Sequence, residues 1–123
     1  MGPGTDPHLY RATENDVRKL QKANLVLYNG LHLEAKLSEI LDQLATQKLT
    51  VAITKDIPKS SLLSPPDYEG NYDPHVWFDM NLWKKSIITM QNSLITMDPK
   101  NEQKYREKTT NYINQLTNLE KSL

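Results

Sequence analysis

Apolar residues recur with two different periods along the first half of the chain. Between Thr13 and Ala23 the apolar residues Val17 and Leu20 share one helical face, and Thr13 with Asp16 has the spacing of a capping box. Leu25 to Tyr28 is instead an unbroken apolar run closed by Asn29-Gly30, which predicts a strand buried on both faces and ended by a turn. Leu33, Leu37, Ile40, Leu41 and Leu44 then fall at i, i+4, i+7, i+8 and i+11, one stripe of an amphipathic helix. Thr50 to Ile53 completes strand, helix, strand. Such a unit predicts a parallel pair with a right-handed crossover, so the fold class is α/β.

From Thr54 to Pro74 the chain is polar and proline-rich without a period, which predicts a long loop. Order resumes at Asp79, an N-cap candidate, with Trp83, Ile87, Met90, Leu94 and Met97 on one stripe. Asp98-Pro99 has the form of an N-cap and first turn of a last helix, whose expected buried side carries Tyr105, Tyr112, Leu116 and Leu119. That helix is polar over much of its circumference, as suits one that lies on the surface or bridges to a further part. Two strands are also little sheet for an α/β domain, because a parallel pair is normally buried within a larger one. The expectation is therefore a fragment.

Charge narrows the function classes. The 123 residues carry 15 Lys and Arg against 15 Asp and Glu, so there is no positive field to gather a nucleic acid. There is no cysteine, which excludes disulfides, thiolate metal sites and a cysteine nucleophile. No apolar run approaches the length that spans a bilayer, so no membrane insertion of this chain is expected. The opening Met1-Gly2-Pro3-Gly4 has neither the basic nor the apolar region of a signal peptide.

Two of the three histidines occur in the same tripeptide, Asp6-Pro7-His8 and Asp73-Pro74-His75, 67 residues apart. Proline fixes its own φ and biases the preceding Asp toward extended backbone, so each His is presented from a stiff loop. Two readings stay open. The histidines are metal ligands, with Asp6 and Asp73 as acceptors for their second ring nitrogens, or each Asp simply caps a turn. His32, between the first strand and the next helix, is expected to cap, pack or face solvent. Phe78 and Trp83 are expected in the core, and Trp77 suits either core or a half-wet position. No H-E-x-x-H, G-x-S-x-G or phosphate-loop pattern occurs, which leaves a metallohydrolase as a minor alternative.

Three segments together carry a resemblance: Gly2-Pro3-Gly4-Thr5-Asp6-Pro7-His8-Leu9-Tyr10, then Ala23 through Glu34 with Asn29-Gly30-Leu31-His32-Leu33-Glu34, then Asp73-Pro74-His75-Val76-Trp77-Phe78-Asp79. In order and spacing they resemble the metal-binding solute receptors of zinc and manganese ABC transporters, over essentially the whole chain. The resemblance implies an extracytoplasmic or periplasmic protein, not an enzyme, of two α/β lobes joined by one long helix. It further implies a Zn²⁺ or Mn²⁺ ion bound between the lobes as cargo for a membrane permease. It implies that His8 and His75 are ligands and that His32 is not. Residues 1–97 would be a partial amino-terminal lobe and 98–123 the linking helix. A leader, a strand, a helix and a second strand before the first tripeptide, and the lobe with the remaining ligands, would be missing. A truncated, non-functional gene product is the rival expectation.

Overall fold

The computed structural model describes residues 1–68 and 70–123. The first helix, α1, spans Glu14–Lys22 and starts as its sequence dictates. The Thr13 hydroxyl accepts from the Asp16 N–H at 3.2 Å, and the Asp16 carboxylate accepts from the Thr13 N–H at 2.9 Å. Its other end is closed from a distance: the Lys48 ammonium donates to the carbonyls of Leu20 and Ala23, at 3.1 and 2.9 Å, and also to that of Gln21. Three carbonyls at the end of the helix thus share one cation, the charge that the negative end of a helix favours.

The strands β1, Leu25–Tyr28, and β2, Leu49–Ala52, pair in parallel with Leu25 opposite Leu49 and Tyr28 opposite Ala52. Helix α2, Ser38–Ala45, connects them after a short 3-10 turn at Ala35–Leu37. The α/β class and the parallel pair stand as expected. The core is built where α1 and α2 cover one face of this pair: Val26, Leu41 and Leu44 are buried, with Leu20, Ala23, Tyr28, Leu37 and Ile40 packed around them. The predicted burial of β1 on both faces does not hold, because Leu27, which points the opposite way from Val26, is exposed.

Helix α3, Met80–Met97, contacts both strands and lies along α4, Glu102–Ser122. Asp79 caps α3 as predicted, accepting from the N–H groups of Asn81 and Leu82. The face that α3 buries is not its apolar stripe, however. Ser86, Thr89 and Ser93 are buried, while Trp83, Ile87, Met90 and Leu94 are half-buried and Met97 is exposed. Short side chains let the helix axis approach the sheet closely, and Thr89 and Ser93 line a small gap together with Val51 of β2. Asp98 precedes only a 3-10 turn, Pro99–Asn101, and its side chain caps no backbone N–H, so α4 begins later than the proline suggests. Its inner side carries Tyr105, Thr109, Ile113 and Leu116, all half-buried, whereas Tyr112 and Leu119 are exposed, contrary to expectation. The Tyr112 hydroxyl still accepts from the Trp83 indole N–H at 3.2 Å.

Between Thr54 and Pro74 there is no regular element beyond 3-10 turns at Lys59–Ser61 and Pro66–Tyr68, and Glu69 lies outside the described residues. The start of this loop is anchored: Thr54 and Ile57 are buried, while Lys55 and Asp56 between them are exposed.

Candidate metal centre

The two Asp-Pro-His tripeptides come from opposite parts of the chain and meet. His8 Nε2 lies 3.2 Å from His75 Nε2, with the ring centroids 5.2 Å apart and the planes inclined at 62°. Two bonds of 2.0–2.1 Å from one tetrahedral zinc ion set their nitrogens about 3.3–3.4 Å apart. The separation already present is therefore close to the bite that such an ion requires.

Each tripeptide is stiffened by its own aspartate, but the two do different work. Asp73 Oδ1 accepts from the backbone N–H of His75 at 2.9 Å and also faces the His75 ring at Nδ1, 2.6 Å away. With the Nδ1 proton donated to that carboxylate, the lone pair of Nε2 is left pointing at His8. The backbone bond from His75 is the largest influence holding the Asp73 carboxyl below its ordinary range; the imidazole adds to it and partial burial opposes it. Asp6 accepts only from the backbone N–H of His8, at 2.9 Å, and makes a turn cap without touching a ring. Of the two acceptors considered for a ring nitrogen, the structure brings one, Asp73, to an imidazole.

The loops are also tied down from outside. Two residues beyond His8, the Tyr10 hydroxyl donates to the Asp16 carboxylate of the α1 capping box. That bond is the main reason why the Tyr10 hydroxyl is pushed up and the Asp16 carboxyl down from their ordinary values. His75 sits between two buried residues, Pro74 and Val76, the latter only 2% exposed. Trp77 packs edge-to-face with the His75 ring, centroids 5.3 Å apart, and is otherwise exposed, as is Leu9. Phe78, expected in the core, is 83% exposed and stands beside Trp77 at the rim. Trp83 is half-buried, and His32 is exposed.

Among the described residues no group of three His, Asp or Glu side chains converges to hold an ion. The pair supplies two donors. Sequence reasoning missed the residue that holds the second tripeptide in place, Asn29, whose buried side chain donates from Nδ2 to the Pro74 carbonyl at 2.9 Å. Asn29-Gly30 carries the signal of a turn and nothing that points across 45 residues to Pro74.

Residues 1–123 match the family described as the periplasmic component A of a zinc-uptake complex, ZnuA. The chain belongs to the ZnuA family. It is 44% identical over 120 residues to the zinc-binding protein TroA of Treponema pallidum, a match covering 98% of this chain and 38% of TroA. The structure of TroA superposes with a TM-score of 0.91, over 97% of this chain and 42% of that one. The manganese-binding lipoprotein MntA of Bacillus subtilis is 39% identical over 98% of this chain and 39% of its own length. The manganese ABC transporter substrate-binding lipoprotein scaA of Streptococcus gordonii is 33% identical over 96% of this chain and 40% of its own. The chain thus spans about two fifths of the length of the relatives it matches. These relatives are described as metal-binding or transporter substrate-binding proteins, and none of these descriptions supports the metallohydrolase reading. No helix among the described residues is long and apolar enough to cross a membrane.

Proposed function

We propose that this chain supplies two neutral imidazole ligands, His8 and His75, to a site that binds a divalent transition ion, Zn²⁺ or Mn²⁺, as cargo of an ABC uptake transporter. The ion is passed unchanged to a membrane permease, outside the cytoplasm. Residues 1–97 form part of the amino-terminal α/β lobe of the receptor, and 98–123 form the helix that leads to a second lobe. Further ligands come from that lobe.

The observation that carries this reading is the meeting of the two Nε2 atoms at 3.2 Å, from positions 67 residues apart, with the Nδ1 of one ring 2.6 Å from the Asp73 carboxylate. Two imidazoles alone make a weak site, because a closed zinc centre uses four ligands. The preference between the ions rests on the ligands still to be added, since imidazole suits zinc and carboxylate oxygen suits manganese. The test is a calorimetric titration of this chain with Zn²⁺, for the parent and for the double variant His8→Ala, His75→Ala. Measurable binding in the parent and its loss in the variant is expected. Equal affinity in both would sink the assignment.

A further inference from the structure

We infer that Asn29 is the positioning residue for His75: its side-chain amide clamps the turn that aims the imidazole at His8. This rests on the two-histidine reading above and adds to it a residue that touches neither ring.

His75 occupies the apex of an inverse γ-turn. Its φ of −83° and ψ of 53° are those of such a turn, and the Val76 N–H donates across it to the Pro74 carbonyl at 2.9 Å. A γ-turn is a small, easily opened unit held by one bond. Here the accepting oxygen has a second donor, Asn29 Nδ2 at 2.9 Å, which uses the other lone pair and fixes where the turn sits relative to β1. The direction of the His75 ring is thereby referred to the sheet.

Asn29 is in turn over-determined. Its backbone N–H donates to Glu34 Oε1 at 2.6 Å, its carbonyl accepts from the Thr54 hydroxyl at 2.6 Å, and Nδ2 also donates to the Gly30 carbonyl at 3.0 Å. The Gly30 N–H takes the other Glu34 oxygen at 3.1 Å. The three residues that follow Asn29 all have positive φ: Gly30 at 84°, Leu31 at 54° and His32 at 64°. Two non-glycine residues in succession in the left-handed region are unfavourable, and such backbone persists only where its surroundings impose it. Glu34 spans this turn and caps both N–H groups ahead of it. A simple strand-to-helix connection needs none of this. What the strained turn and its carboxylate achieve is to hold Asn29 buried, with its amide facing a carbonyl 45 residues away.

The experiment follows the imidazole Cε1–H and the Asn29 Nδ2–H resonances of this chain by NMR during a Zn²⁺ titration, in the parent and in Asn29→Ala. In the parent, both imidazoles should respond with one shared Kd, and the Asn29 amide protons should shift with that same Kd. In Asn29→Ala, the shared Kd should rise about tenfold or more, in line with outer-shell changes at metal sites, with the His8 and His75 responses no longer coinciding. A merely structural role would lower the melting temperature and leave the shared Kd unchanged, which would overturn the inference. If the variant does not fold, the parent decides: Asn29 amide protons indifferent to zinc, while both imidazoles move together, also overturn it. Imidazoles that never share a Kd in the parent refute the two-histidine reading itself, a separate outcome.

Discussion

Adding one methyl group at Gly30 tests whether the strained turn exists in solution. The backbone there is at φ 84°, and an added Cβ would lie 2.9 Å from both the Ala52 Cβ and the Thr54 hydroxyl oxygen. Neither neighbour can swing away: one is fixed to the β2 backbone, and the other is committed to the Asn29 carbonyl. Left-handed backbone costs an L-residue about 1–2 kcal/mol, and overpacking a tight contact adds about 1–3 kcal/mol. Gly30→Ala should therefore cost about 2–5 kcal/mol. At roughly 4 °C per kcal/mol for a chain of this size, the melting temperature falls by about 8–20 °C. Gly70 supplies the control, because it has the same φ of 84° with nothing within 4 Å of an added Cβ. Gly70→Ala should lose only the conformational part, about 1–2 kcal/mol. Thermal melts followed by far-UV circular dichroism measure both. A Gly30→Ala melt within about 2 °C of that of Gly70→Ala would refute the close approach of Gly30 to β2, and with it the account of how Asn29 is held.

Two further outcomes follow from individual contacts. Because the Asp73 carboxyl is held below its ordinary value of 3.8, its contribution to stability is complete above that value and is lost as pH falls through the lowered native one. Asp73→Asn should remove this acid-side increment from the pH dependence of stability between pH 6 and pH 2, and should weaken Zn²⁺ binding about tenfold or more; a variant with the parent's acid profile and zinc affinity would contradict the role given to that carboxylate. Lys48→Met strips the cation from three carbonyls at the end of α1 and should cost about 1–3 kcal/mol, read as a lower urea midpoint with Zn²⁺ affinity unchanged. An unmoved midpoint would mean that the ammonium makes no net contribution there.

Local signals were the legible ones. The Thr13 capping box, the Asp79 cap and the strand-helix-strand order depend on neighbours in sequence, and they stand where the pattern put them. So did the repeated Asp-Pro-His, because proline stiffens each copy regardless of context. What failed was whatever depended on partners elsewhere. The apolar stripe of α3 was expected to be its buried face, yet the sheet takes the Ser86, Thr89 and Ser93 side, since small residues allow the closer approach. Phe78 has the composition of a core residue and the position of a rim residue, because the γ-turn at His75 and the cap at Asp79 leave it pointing outward. The helix expected from Leu33 onward begins only at Ser38, because a 3-10 turn occupies Ala35–Leu37 first. Asn29 itself was read as punctuation. A donor whose acceptor lies 45 residues away leaves no trace in periodicity or composition.

The pairing of His8 with His75 has a kinetic meaning. Two histidines one turn apart on a helix stay together for as long as that helix does, and the ion they hold leaves only by breaking its own bonds. These two are joined by 67 residues of folded chain and by nothing local. On the proposed reading, parting the loops by an ångström or two would leave each imidazole to hold an ion by a single bond. On the proposed two-histidine reading, the spacing of these two loops would set how well the chain's own pair of donors holds an ion.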